Sequence, residues 1–418
     1  MQAAATAAAA SSIEWYDFFI YGTAAALVFP KLFFPAALPP AVAQLAAFST
    51  FAVGFIARPL GGVVFGHLGD RIGRKGALAA ALLLMGVATT LIGLAPTYER
   101  IGVAAPVLLI LLRIAQGLAV GGQWGGAALL AIEHAPAGRR GFYGGFAQLG
   151  VPIGVVLANL VFLAMGETLA PAAFLAWGWR IPFLLSVALV GLGFYVHLRL
   201  EDTPEFRELA AREAAAAHRR SPLADVLRRH AREVLLAGGS MVACSGCFYL
   251  ITTYVVAYAT ASLHAPRTQV LWSVMLGSLA AAPVLMLSAA ASDRIGRRGV
   301  YLVGAVLTGL WAFPFFQLID TGAFWPMTLA VAVGLGLMNL MYGPQAALFA
   351  ELFATEVRYS GASMGYQLAS IGGGGFAPMI AASLIVAFGS STAVSAYMAL
   401  LCGISFVSVW LMGARAKA

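Results

Sequence analysis

Five residues of this chain have types and spacings suited to chemistry in an apolar setting. Glu14 and Asp17 stand at i and i+3, so they face one side of a helix. Arg58 and Arg113 lie inside long apolar runs, where an ionisable group is expensive and therefore a functional candidate. A guanidinium holds a carboxylate in a planar, two-pronged geometry that suits a small organic acid. That makes Arg58 a candidate for substrate binding. Asp17, about one turn into its apolar run, is a candidate proton-binding carboxylate, with Glu14 and Arg113 in the same coupling group. Plainer readings stand beside these: an ion pair closing the helix end, a permanent Arg58–Asp17 bridge, or Arg113 buttressing backbone carbonyls of the first helix while tuning proton release. Gln123 lies ten residues beyond Arg113, about 15 Å along a helix. Its neutral amide can bond a hydroxyl or carboxylate, or simply pack between helices.

The elements that position these groups follow from composition. The 418 residues are 61% apolar and 10% charged, with a mean hydropathy of +0.88. A soluble domain carries about 45–50% apolar and about 25% charged residues. A soluble enzyme, a nucleic-acid-binding domain and a disordered chain are excluded together. About 255 apolar residues, at about 20 per span, supply about twelve transmembrane helices. The expected spans are 12–34, 43–66, 77–95, 102–131, 142–165 and 179–199, then 234–260, 269–291, 299–318, 325–350, 361–388 and 391–413. Residues 200–233 form the one long polar segment and read as a cytoplasmic linker of amphipathic helices. The expected organisation is an all-α polytopic membrane protein: a six-helix bundle over 1–199, the linker, and a second bundle over 234–418. The net charge of +8 reflects topology. With both termini cytoplasmic, nineteen of the 25 Lys and Arg fall on the inner side and four on the outer.

The two halves repeat each other. Gly69-Asp70-Arg71-Ile72-Gly73-Arg74-Lys75 after the second span matches Ser292-Asp293-Arg294-Ile295-Gly296-Arg297-Arg298 after the eighth, at an offset of 223. Glu133 with Arg140 matches Glu351 with Arg358, at an offset of 218. A duplicated six-helix unit places a substrate site near the bilayer midplane, between halves that rock against each other. Asp70, Arg71, Arg74, Glu133, Arg140, Asp293, Arg294, Glu351 and Arg358 are the gating candidates. Asp70 is expected near a helix N-terminus, where the dipole favours an anion, and paired with Arg140; Asp293 with Arg358 would repeat this. The three cysteines include a Cys244-x-x-Cys247 with no His or third Cys near in sequence, which reads as helix packing.

These repeats resemble the major facilitator superfamily, whose signature between helices two and three matches Gly66–Lys75. Arg113-Ile114-Ala115-Gln116-Gly117 with Gly121-Gly122 resembles the helix-four motif of its proton-coupled members. The chain is more closely similar to the metabolite:proton symporter family. That likeness rests on Glu14-Trp15-Tyr16-Asp17-Phe18, Arg58-Pro59-Leu60-Gly61-Gly62, Trp124-Gly125-Gly126-Ala127 and Gly178-Trp179-Arg180-Ile181-Pro182-Phe183. Ala24–Phe29, Tyr359-Ser360-Gly361-Ala362 and Gly365-Tyr366-Gln367 look most like its shikimate transporter branch. The resemblance implies that helices one, four, seven and ten line a central cavity. It adds Trp124, Tyr249, Tyr254, Tyr258, Asn339, Tyr342 and Gln345 to the substrate-facing candidates, with Gln367 behind them. One position departs: the family carries an acid where this chain has Gln123. Either protons couple elsewhere, or the position is a replacement that holds the chain in a protonated-like state.

The function expected is import of a small organic acid, shikimate-like or another carboxylate, by proton symport with alternating access. Alternatives are a zwitterion or osmolyte symporter and a proton-uncoupled facilitator. The six His are scattered and no G-x-x-x-x-G-K-[ST] loop occurs, so neither a membrane enzyme nor an ATP-driven pump fits. The partners expected are an organic acid, protons and lipid, with no nucleic acid, metal or cofactor. The protein would work as a monomer in a bacterial-type inner membrane.

Overall fold

The computed structural model describes residues 2–72, 74–121, 138–188, 191, 230–353 and 358–412. The principal helices among the described residues follow one another: α1 Gln2–Leu27, α2 Pro40–Ile72, α3 Arg74–Leu94 and α4 Ala104–Gly121. Next come α5 Arg140–Thr168, α6 over 181–188, α7 Ala231–Ala261, α8 Arg267–Ile295 and α9 Arg297–Asp320. α10 is Phe324–Leu352. α11 runs as Arg358–Ala369, a π-helical turn Ser370–Gly375, and Ala377–Phe388, and α12 is Ser391–Met412. Among the described residues there is no strand, and nine helices carry stretches long and apolar enough to cross a membrane; α3 adds the shorter Ala79–Leu94. α7 is the most enclosed of the nine.

Sequence and structure differ in the signature loops. α2 continues to Ile72 and α8 to Ile295, so the signature is helix rather than loop. In the second copy the break is one residue, Gly296, with φ of +94°. Only glycine adopts that conformation without strain, and α9 begins at the next residue. α1 likewise starts at Gln2 rather than at 12, since the alanines before it are strong helix formers. α7 starts at Ala231, three residues into the expected linker, the rest of which up to 229 lies outside the described residues.

Close packing of α2 on α4 sets the position of both intramembrane arginines. Gly117 and Gly121 form a G-x-x-x-G face that lets the backbones touch. A Cβ at Gly117 would sit 2.1 Å from the Gly54 carbonyl oxygen, and one at Gly121 would sit 1.9 Å from that of Arg58. At the far end from the signatures, Arg180 donates from Nη1 to the carbonyls of Gly93 and Ala95, each at 2.8 Å. This satisfies orphan acceptors at the end of α3. Tyr16 donates to the Pro182 carbonyl at 2.9 Å and so fixes α1 against the start of α6.

Gly117→Ala should force α2 and α4 apart and cost about 1–3 kcal/mol. A lowered Tm of the purified protein checks this. Gly403→Ala, where a Cβ meets nothing within 4 Å, should leave Tm unchanged or raise it.

Candidate functional site

The site is built around Arg58 of α2, which is 1% exposed. Its guanidinium carbon lies 4.2 Å from the centroid of the Phe55 ring, 4.4 Å from Phe18 and 6.0 Å from Trp15. The phenols of Tyr249 on α7 and Tyr366 on α11 lie within electrostatic reach of the same guanidinium, and the Tyr249 ring packs on Phe55 at 5.2 Å. One arginine of the first half is therefore flanked by two phenols of the second. Among the described residues its Nε and Nη2 have no partner, and the same two atoms of Arg113 are likewise unmet. The two N–H groups of Arg58 form the parallel edge onto which a carboxylate docks bidentately.

Arg113 of α4 is buried differently. Its guanidinium carbon lies 4.2 Å from the centroids of Phe18 and Tyr21 and 4.9 Å from Phe51. Nη1 donates to Gln116 Oε1 at 3.0 Å, and Gln116 Nε2 donates to Thr89 Oγ1 on α3 at 2.7 Å. A Cβ at Gly54 would lie 2.5 Å from Arg113 Nε, so the stem of the side chain occupies the space a larger residue would need. Every one of these contacts is within the first half. The backbone carbonyls of the first helix, expected as its partners, are replaced by ring faces of that helix. Asp17 is fully buried on α1, next to Phe18, whose ring lies between the two guanidiniums.

The remaining sequence candidates divide. Tyr342 and Asn339 line a cavity of about 20 Å³, room for about one water, between Val151 and Pro152 of the first half and α7, α8 and α10. Asn339 Nδ2 is committed to the Ala281 carbonyl at 2.9 Å. Gln345 is 1% exposed, and among the described residues neither amide atom has a partner. Tyr254 and Tyr258 do not join Arg58. They stack on each other at 5.8 Å and pack on Phe316, and Tyr258 donates to Asp320 Oδ1 at 2.8 Å. Five residues past Tyr249 at about 100° each turn that pair onto another face, inside the second half. Only the backbone is described for Glu14, Asp70, Arg71, Arg74 and Arg358, while Gln123, Trp124 and Glu133 lie outside the described residues.

The gating candidates of the second half sit at the signature end. Asp293 accepts from the backbone N–H of Gly141 at 2.8 Å and of Phe142 at 3.0 Å, at the N-terminus of α5. It also pairs with Arg297 at 3.4 Å, and Arg297 bridges to Glu351. The contact with α5 crosses to the other half, one residue from Arg140, while the side chain of Arg358, the expected partner of Asp293, lies outside the described residues. Arg140 and Arg294 are exposed. At the opposite end, Arg267 donates to the Gly166 carbonyl of α5 at 3.3 Å and lies 3.9 Å over the Phe174 ring. Sequence reasoning missed Arg267 as a contact between halves, and missed Tyr366 and Gln116. Position i+3 from Arg113 was the available signal for Gln116. Cys402 brings its Sγ to 3.7 Å from that of Cys247, so the third cysteine absent nearby in sequence is present in space. Among the described residues no group of three or more His, Cys, Asp or Glu is arranged to hold a metal.

An all-helical fold with paired charges at the helix ends and buried arginines facing the seam between two repeated halves defines a membrane transporter, not an enzyme. The chain belongs to the major facilitator superfamily: residues 3–234 match its sugar (and other) transporter family and residues 236–418 the Major Facilitator Superfamily itself. Among curated relatives it is 43% identical to the inner membrane metabolite transport protein YhjE of Escherichia coli K12, over 96% of this chain and 91% of that one. It is 41% identical to the shikimate transporter of the same strain, over 97% and 92%. It is 35% identical to that strain's proline/betaine transporter, over 92% and 77%. The fold matches the crystal structure of a D-xylose–proton symporter with a TM-score of 0.74 at 17% identity, over 98% of this chain and 96% of that one.

Asp293→Asn keeps the shape but removes the charge that the α5 N-terminus holds, worth about 1–2 kcal/mol. With Ser292→Cys in a variant lacking the three native cysteines, thiol labelling at that position should quicken about 5- to 30-fold. An unchanged labelling rate would show that Asp293 does not hold this end closed.

Proposed function

We propose that the protein imports a small carboxylic acid of the shikimate type together with a proton, by alternating access between its two halves. The observation that carries this reading is the buried, unpartnered Nε–Nη2 edge of Arg58 at the seam between the halves. A cation held against apolar rings and phenols there is matched by a planar anion. The substrate carboxylate takes that edge, and Tyr249 and Tyr366 report its arrival to the second half.

Charge balance supports the proton. Among the described residues the fully buried ionisable side chains of opposite sign are Asp17 on one side and Arg58 and Arg113 on the other. Two guanidiniums against one carboxylate leave the empty site one unit positive. A bound carboxylate together with protonation of Asp17 restores that same value, so the reorienting site carries equal charge empty and loaded. Moving a net charge through the membrane potential costs about 2.3 kcal/mol per 100 mV, which this pairing avoids. Asp17 is the proton carrier, Arg58 the anion site, and Arg113 holds the ring of Phe18 between them. No cofactor takes part. The signature end faces the cytoplasm, as the distribution of Lys and Arg argues, with both termini on that side of a bacterial inner membrane. The protein acts as a monomer.

The test is uptake into proteoliposomes under an imposed inward proton gradient, with shikimate, 2-oxoglutarate, citrate and betaine as labelled probes. Gradient-driven accumulation of an acid is expected. Arg58→Met should weaken it by at least about 30-fold, the loss of a buried bidentate charge contact of about 2 kcal/mol or more. Uptake of betaine but no acid would overturn the substrate class. Uptake indifferent to the gradient would instead mark a facilitator, and Gln123→Glu run alongside asks whether an acid at that position restores coupling.

A further inference from the structure

Gln367 of α11 is 4% exposed and reaches across the seam, where its Nε2 donates to the Gly121 carbonyl at the end of α4, 3.4 Å away. That contact fixes the amide's orientation, because turning it over would set two oxygens against each other. Oε1 is thereby directed elsewhere, and among the described residues it has no partner. A buried acceptor left unmade is costly, so a site that keeps one calls for a donor. Two observations bring Gln367 to the region of Arg58. The preceding residue, Tyr366, lies within electrostatic reach of the Arg58 guanidinium. The Arg58 carbonyl also packs so tightly on Gly121 that a Cβ there would lie 1.9 Å from it. Arg58 offers only donors at its open edge. Gln367 offers, from the other half, one acceptor.

We infer that Gln367 is a specificity-determining residue, its Oε1 accepting a hydrogen bond from a hydroxyl of the acid held at Arg58, so that hydroxylated carboxylic acids are selected over acids lacking that hydroxyl. The inference rests on the organic-acid reading above. Its physical basis is that a site built to bond a substrate O–H rejects the analogue without it far more strongly than an apolar pocket rejects a missing methylene. Betaine, a carboxylate with neither O–H nor N–H, leaves the acceptor unmade.

The experiment is calorimetric binding to the full-length protein in lipid nanodiscs, with two acid pairs: shikimate against cyclohex-1-ene-1-carboxylate, and 4-hydroxybenzoate against benzoate. The wild type should bind at least one hydroxylated member about 10-fold or more tighter than its partner. Gln367→Met should weaken that acid by about 10- to 100-fold while leaving its partner within about 2-fold, which also shows that the variant is folded. Should Gln367→Met not fold, Gln367→Asn, which withdraws the amide by one methylene, must give the same selective loss. Equal loss for both members of a pair would reduce Gln367 to a structural contact and overturn the inference. Equal affinity of the wild type for both members, abolished by Arg58→Met, would overturn it while leaving the carboxylate site standing. Binding of none of the four acids would overturn both.

Discussion

The constraint on which the structure depends is the burial of two guanidiniums in one bundle. A central arginine costs a membrane helix about 2.5–3.5 kcal/mol, and each ring face it meets returns about 0.5–2 kcal/mol. Arg113 meets three rings and Arg58 two at close range, so the terms are of one size. Much else follows from that balance. Phe18 must lie between the two cations, which fixes the rotation of α1. Gly54 must lack a side chain, because Arg113 fills its place. Gln116 must turn its Oε1 to Arg113, because Nη1 would otherwise be unmet, and its Nε2 is then held by Thr89. Among the described residues both arginines leave Nε and Nη2 unmet. Arg113 takes its ring and amide contacts from its own half, whereas Arg58 adds to the rings of its own half the nearby phenols of Tyr249 and Tyr366 from the other.

The antiparallel pair α5 and α8 joins the halves at both ends through helix charges. Asp293 stands in the last turn of α8, where a negative charge opposes that helix's own dipole. Arg267 is the first residue of α8, where a positive charge does the same. Both are placed correctly for α5 instead: the anion at its N-terminus and the cation at its C-terminal carbonyls. Charges unfavourable for the helix that carries them and favourable for its neighbour act on the interface between them. The two contacts lie at opposite ends of the pair, and both are made in this conformation.

Much of this was legible in the chain. Apolar run lengths located the helices to within a few residues at most boundaries, since a bilayer admits little else. The repeat located Asp293 at the end that closes on the other half. What the sequence did not carry was direction. The crossing of Asp293 to α5, beside its pairing with Arg297 in its own half, depends on how the bundles face each other, which no local spacing encodes. Tyr249 and Tyr254 looked equivalent as aromatic residues on one helix, yet they lie on faces that serve different neighbours. Arg267 carried no signal in the sequence, because its role depends on a backbone carbonyl, and a carbonyl has no sequence signature.

The two halves also differ in how they can move, and the difference falls where the site is. Among the described residues the π-helical turns are Leu250–Tyr254 in α7 and Ser370–Gly375 in α11. Each begins within a turn of a residue that reaches the first half at the site, Tyr249 in one case and Gln367 in the other. A π turn widens the helix by one residue and weakens its hydrogen-bond ladder, which is why such turns persist chiefly at functional positions. In α11 the turn itself holds four consecutive glycines, and the last two lie against Phe55, where a Cβ at either would come within 2.9 Å of an atom of the Phe55 side chain. The first half holds its arginines in a frame of rings and glycine contacts that leaves little slack. The second half flanks Arg58 from the ends of helices whose ladder is interrupted one step further on. A ligand that displaces Tyr249 or Tyr366 from Arg58 therefore acts directly on the segments of α7 and α11 least held by their own hydrogen bonds.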